Sequence, residues 1–268
     1  MTDPNPIDTS ALAEHYSHFR VSERLLLTGH SHQAWPDVAF EGQQRAWLDA
    51  AQHVDQKWSV AEAKAERYRG ALTALLDDQT GYVSLGHSTH ELVTRVLSAL
   101  PLATRPRLVT TDGEFHSIRR QLDRLAEEGV EVAKVAALPA STLAERLISE
   151  VDDRTAAVLV SCILFQNAHI VPGLGDVLEA CKKVGAELLL DAYHSTNVAP
   201  ISLSEEGLGG AFIVGGGYKY MQVGEGNCWL RFPRDCRLRP VLTGWFSEFG
   251  TLADQKPAIG TSGEESGV

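Results

Sequence analysis

Residues 188–200 read LLLDAYHSTNVAP and residues 214–220 read VGGGYKY, so two oily segments each run into a chemically active side chain, Asp191 in the first and Lys219 in the second. An aspartate closing the run ELLL (residues 187–190) is costly to keep charged unless a cation or a strong hydrogen-bond donor meets it. Lys219 follows three glycines, which let the backbone turn tightly or approach a partner closely. A lysine desolvated in such a place loses its proton readily and becomes a nucleophilic amine. A salt bridge between the two, or an exposed loop lysine, is the plainer account. The aromatic neighbours Tyr218 and Tyr220, and the 28-residue separation of Asp191 from Lys219, weigh against it. His194, three residues after Asp191, is in reach of the same partner, although a histidine taken alone at such a place is more often a structural hydrogen-bonder.

Outward from these segments the chain has a regular rhythm. GYVSLG (81–86), RLVTTD (107–112), VEVAKVA (130–136), AAVLVSCIL (156–164), AELLLDAY (186–193) and GAFIVGG (210–216) are short apolar or β-branched runs. Helical patterns lie between several of them: HELVTRVLSALP, IRRQLDRLAEEG, STLAERLISEV and LGDVLEACKKVG, with Gly129 and Gly185 placed as C-terminal stops. The segments ALAEHYSHF (11–19) and 37–76 also read as amphipathic helices. Strands alternating with helices predict an α/β fold with a mostly parallel sheet covered on both faces. Ligands of such sheets sit at the carboxyl ends of the strands. Those ends are residues 86–90, 112–117, 165–168, 191–194 and 215–219.

In SLGHSTHEL, a glycine and two hydroxyls open a helix, whose first turn offers unpaired N–H groups, so Ser88 and Thr89 form a natural anion site; a helix cap is the equal alternative. Phe115 in DGEFHS follows a strand directly, where its face suits stacking on a flat ring, although alone it reads as core. A protonated pyridine nitrogen would satisfy Asp191. Phosphate donors, a stacking ring, an acid for a pyridine nitrogen and a Schiff-base lysine, in this order on successive strand ends, together describe pyridoxal 5′-phosphate (PLP).

The bulk properties agree with a small-molecule partner. The formal charge of −11, from 35 acidic against 24 basic residues, disfavours nucleic acid. Cys162, Cys181, Cys228 and Cys236 lie far apart with no C-x-x-C pair, which fits reduced thiols in a cytoplasm rather than a disulfide framework or zinc site. The start MTDPNPIDTS lacks the pattern of a signal peptide, and no apolar run approaches the ~20 residues of a membrane span. Other chemistries fit less well. GHSTH fails the nucleophile-elbow pattern at Thr89–His90, GHSHQAW pairs His30 and His32 without a third ligand, and neither G-x-G-x-x-G nor G-K-[ST] is present.

From Leu26 to Phe246 the chain resembles the fold-type I PLP enzymes of the class V aminotransferase superfamily, and among them the kynureninases most closely. GHSTHEL resembles that family's D-S-T-S phosphate turn, DAYHS its D-x-x-H, GYKY its S-Y-K-Y and TGWF (243–246) its G-W-F/W segment, while EFHS stands at the stacking position. The resemblance implies a seven-stranded sheet between helices. It implies a PLP-binding large domain over residues 46–240, after an N-terminal arm and helix over 1–45. It makes Lys219 the Schiff-base lysine, Asp191 the partner of the pyridinium nitrogen and Phe115 the stacking ring. Ser88, Thr89 and Tyr218 would hold the phosphate, His194 would lie near the ring's phenolic oxygen, and Trp245 would reach a phosphate across a homodimer interface. The implied activity is a kynureninase-like hydrolysis of the Cβ–Cγ bond, giving alanine and an aromatic acid, with Lys219 as base and Tyr218 as proton donor. The alternatives are another class V aminotransferase, lyase or desulfurase, or a PLP-binding relative without activity. Two departures stand out: His87 replaces the turn's aspartate, and residues 241–268 leave only a stub of the small domain with a disordered tail, without the family's arginine for the substrate carboxylate.

Overall fold

The computed structural model describes residues 7–244. Seven strands, β1 (Gly81–Gly86), β2 (Arg107–Thr111), β3 (Glu131–Val135), β4 (Thr155–Ser161), β5 (Glu187–Asp191), β6 (Phe212–Gly215) and β7 (Cys228–Pro233), form one sheet in the order β1-β7-β6-β5-β4-β2-β3. The pairs β2–β3, β2–β4, β4–β5 and β5–β6 are parallel, whereas β7 runs antiparallel to both neighbours, β1 and β6. The mostly parallel seven-stranded sheet expected from the resemblance is therefore present. Six strands coincide with the apolar runs read above. The seventh, CWLRFP, was not among those runs, because Arg231 interrupts its apolar pattern; that arginine is nevertheless fully buried.

Alternation along the central strands loads both faces. Leu188 and Leu190 of β5 point to one cluster with Leu143, Val177 and Leu72, whereas Leu189 joins Leu92, Val96, Ile118 and Leu122 on the other side. The first face is covered by α3 (Lys57–Leu75), α6 (Leu143–Glu150) and α7 (Leu174–Val184), and the second by α4 (Thr89–Ala99) and α5 (His116–Glu127). Each fully buried Leu or Val stabilises the fold by roughly 1.5–3 kcal/mol. The expected stops hold: Gly129 and Gly185 take φ values of 94° and 70°, left-handed conformations that end α5 and α7 cheaply.

The N-terminal region is more broken than its sequence pattern predicts. ALAEHYSHF is not one helix but the end of α1 (Thr9–Ala13), capped by Asp8, followed by a 3₁₀ segment, Glu14–Phe19, in which Tyr16 leaves helical geometry. Segment 37–76 divides into α2 (Asp37–His53) and α3 at Val54, where φ is 44°. Helix α2 is continuous across residues 45 and 46, where the arm was expected to meet the large domain. Among the described residues no helix is long and apolar enough to cross a membrane.

Candidate active site

Parallel strands end on one edge of the sheet, and here the segments following β1, β2, β5 and β6 close around a cavity of about 210 Å³. Ser88, Thr89, Phe115, Asp191, His194, Tyr218 and Lys219 all line it. Trp245, the remaining residue singled out from the sequence, lies outside the described residues.

Lys219 is at the centre. Its side chain is 4 % exposed, and Nζ donates to His194 Nε2 at 2.6 Å. Phe115 presents its ring 4.7 Å from the same nitrogen. Burial pulls the Lys219 amine below its ordinary pKa, and the negative Asp191 pulls the other way. His194 is drawn down to about 3, by burial first and then by the charge of Lys219. A neutral imidazole whose Nε2 accepts from Lys219 carries its own proton on Nδ1. Asp191 is buried, and its Oδ1 accepts the Tyr193 backbone N–H at 2.9 Å. Burial raises the Asp191 carboxyl above the usual carboxylate range, opposed by that hydrogen bond and by Lys219.

At the other end of the cavity stands the first turn of α4. Ser88 Oγ accepts the Glu91 N–H at 3.1 Å as the helix cap, and Glu91 Oε2 reaches back past the cap to accept the His87 N–H at 3.2 Å. Ser88 is thus a helix cap whose hydroxyl proton still has a bond to give. The three glycines before Tyr218 are required by close approach: a Cβ at Gly215 would fall 2.3 Å from the Trp229 ring, one at Gly216 2.2 Å from the Tyr193 ring and one at Gly217 2.7 Å from the Gly224 carbonyl oxygen. Tyr218 is fixed through its backbone, whose carbonyl accepts Trp35 Nε1 at 3.1 Å.

Three neighbours were not among the site residues singled out from the sequence. His30, considered there as half of a metal pair, donates from Nε2 to the Phe165 carbonyl at 2.8 Å and accepts from the Tyr220 hydroxyl on Nδ1 at 3.1 Å, with its ring 4.5 Å from that of His194. Glu114 lies buried behind Phe115, bonded to the Thr111 and Ser161 hydroxyls. Tyr193 packs against Gly216 and lines the cavity. The signal for Tyr193 was its place inside DAYHS, and for His30 its place in GHSHQAW; nothing local distinguished Glu114 from a turn acid.

The fold is that of the large domain of fold-type I PLP enzymes. A C-DES mutant with glycine covalently linked to its PLP cofactor superposes with a TM-score of 0.72 over 87% of this chain and 63% of that one, at 17% identity. The cysteine desulfurase CsdA of Escherichia coli does so with a TM-score of 0.69 over 91% of this chain and 63% of its own, at 16% identity. In sequence, the uncharacterized aminotransferase YcbU of Bacillus subtilis (strain 168) is 21% identical over 202 residues, 75% of this chain and 53% of that protein. The chain thus spans about half the length of that aminotransferase and somewhat under two thirds of the two solved chains. Uracil phosphoribosyltransferase of Corynebacterium glutamicum (strain R) disagrees: it is 31% identical over 153 residues, 47% of this chain and 71% of that protein. That match touches less than half of this chain, whereas the likeness in fold spans most of it, so the fold assignment rests on the latter. No family model matches the chain.

Proposed function

We propose that this chain is a PLP-dependent enzyme of the class V kind, acting at the α-carbon of an amino acid. The observation that carries the reading is a buried lysine amine bonded at 2.6 Å to a neutral imidazole, with an aromatic face beside it, in a cavity that also holds a buried acid. The residues fit the cofactor: Lys219 would hold it covalently, Asp191 would hold a proton on the ring nitrogen, Phe115 would cover one face, and Ser88, Thr89, Tyr218 and the first turn of α4 would receive the phosphate. Trp245 keeps its place in this proposal as a phosphate contact from a second copy, within a cytoplasmic homodimer. Bound there, PLP supplies an electron sink for the carbanion at the substrate's α-carbon.

The chain's own groups have separate tasks. Lys219, with its pKa pulled down by burial, would also serve as the base that takes the α-proton. His194 stays neutral and orients the amine. Tyr218 has its phenol pKa pushed up, by burial first, so it remains protonated at neutral pH and suits a proton donor.

The kynureninase-like hydrolysis expected from the motifs is one choice of substrate within this reading, and the names of the solved relatives favour cysteine or cystine instead. Cys228 is the cavity's cysteine, and burial pushes its thiol up, which speaks against a persulfide-forming thiolate at that position. Cleavage of cysteine or cystine without a thiolate at Cys228 is therefore the favoured alternative to kynurenine hydrolysis. The test adds PLP to the purified chain and to Lys219→Ala, then offers kynurenine, 3-hydroxykynurenine, cysteine and cystine. A visible band absent from Lys219→Ala is the expected result. Anthranilate with alanine marks the hydrolase, and sulfur release marks the lyase. No band with the intact chain, together with uridine monophosphate formed from uracil and phosphoribosyl diphosphate, would replace this reading with the phosphoribosyltransferase one.

A further inference from the structure

We infer that the Tyr193 hydroxyl is a phosphate-binding donor of this cavity, a role that rests on the PLP reading and adds to it a contact which Ser88, Thr89 and Tyr218 do not provide. Tyr193 follows β5 by two residues, is nine-tenths buried and lines the cavity. Its ring edge lies over Gly216 so closely that a Cβ there would fall 2.4 Å from the carbon bearing the hydroxyl and 2.6 Å from the hydroxyl oxygen. Space for any side chain at position 216 is thus taken by the phenol, which brings a hydroxyl from the neighbouring strand end to where the glycines bring none.

The position of that ring is given by its neighbours. Its centroid lies 5.2 Å from that of Tyr218, one of the expected phosphate contacts, and both rings line the cavity together with Thr89, the first residue of α4. The phenol thus shares the cavity with the helix N-terminus, which attracts anions. Among the described residues lining the cavity, Lys219 is the sole lysine and no arginine is present, while Asp191 and Glu225 are acids. A phosphate held there depends on neutral donors and on the helix turn more than on ion pairing, so each hydroxyl counts. Burial raises the phenol's pKa, which keeps the proton in place for donation.

The test removes one oxygen and keeps the ring. Apoprotein of the wild type and of Tyr193→Phe is titrated with PLP and with pyridoxal, which lacks the phosphate, following the cofactor band to obtain Kd. The expected result is a PLP Kd raised about tenfold in Tyr193→Phe, the equivalent of one hydrogen bond to a charged group, with the pyridoxal Kd unchanged. An unchanged PLP Kd overturns the proposal and leaves the PLP reading standing. Equal weakening for both ligands also overturns it, because that pattern belongs to a ring that merely packs. Wild-type protein that binds neither ligand overturns this proposal and the PLP reading together. Tyr193→His, which returns a donor on a smaller ring, supplies the same ratio should Tyr193→Phe not fold: selectivity for PLP over pyridoxal kept within threefold of wild type supports the donor role, and its loss overturns it.

Discussion

Glu114 stands one residue before Phe115, with both carboxylate oxygens engaged: Oε1 accepts from Thr111 Oγ1 and Oε2 from Ser161 Oγ, each at 2.6 Å. Burial pushes its pKa up to about 7, the two hydroxyls pull it down, and the nearby Asp191 charge adds to the rise. The folded-state value is raised above the unfolded one, so the protonated form is favoured on folding. That contribution is fully present below about pH 4.5 and is lost as pH rises to about 7. Glu114→Gln removes the titration. Its stability relative to wild type should therefore improve between pH 5 and pH 8, by on the order of 3 kcal/mol. Urea unfolding at both pH values measures the gap, and a gap independent of pH would show that Glu114 does not titrate in this range. The acid was invisible in the sequence because its partners are separated from it by 3 and 47 residues, and only the packing of β2 beside β4 unites them. Lys219 and Asp191, by contrast, announce themselves locally, as polar groups placed at the ends of apolar runs.

At the scale of elements, the arginine that hid β7 from its own sequence pattern also fastens it. Arg231 Nε and Nη2 grip Asp78 at 2.7 and 3.0 Å, Nη2 reaches Thr80 Oγ1 at 2.9 Å, and Nη1 reaches the Ala211 carbonyl at 2.7 Å. One side chain thereby joins β7, the turn before β1 and the start of β6. Gly81 is glycine for the same reason, since a Cβ there would meet Arg231 Nε at 2.4 Å. Asp78→Ala leaves a buried guanidinium without its counter-ion and should cost about 3–5 kcal/mol, read from the denaturant midpoint. The double variant Asp78→Ala with Arg231→Met should recover much of the loss; equal losses in the single and double variants would mean the pair is not the cause. The other strands and α4 to α7 were legible because one periodicity dominates each. The division of 37–76 at Val54 was not, since a left-handed valine has no signature in composition.

For the whole molecule, the strand order explains why seven of the eight proposed residues meet although they span residues 88–219 of the chain. Alternating strands and helices made that convergence legible; the antiparallel insertion of β7 was not, because it depends on pairing between segments about 150 residues apart. The surface of α2 carries Phe40 and, two turns on, Trp47, which is 72% exposed. An apolar face of this kind is the natural seat of the homodimer proposed above. Light scattering on the eluting protein should give twice the chain mass, and Trp47→Glu should return it to a monomer. A wild-type monomer at micromolar concentration would remove the homodimer from the proposal.

Strand β7 fills the gap between β1 and β6, yet it is made last. During synthesis, then, the half carrying the α4 turn and the half carrying Lys219 have no common edge until residue 233 has left the ribosome. Before then only apolar packing of α4 against β6 and α5 ties the first turn of α4 to the Lys219 segment, so the proposed cofactor would find its full set of partners late in biosynthesis.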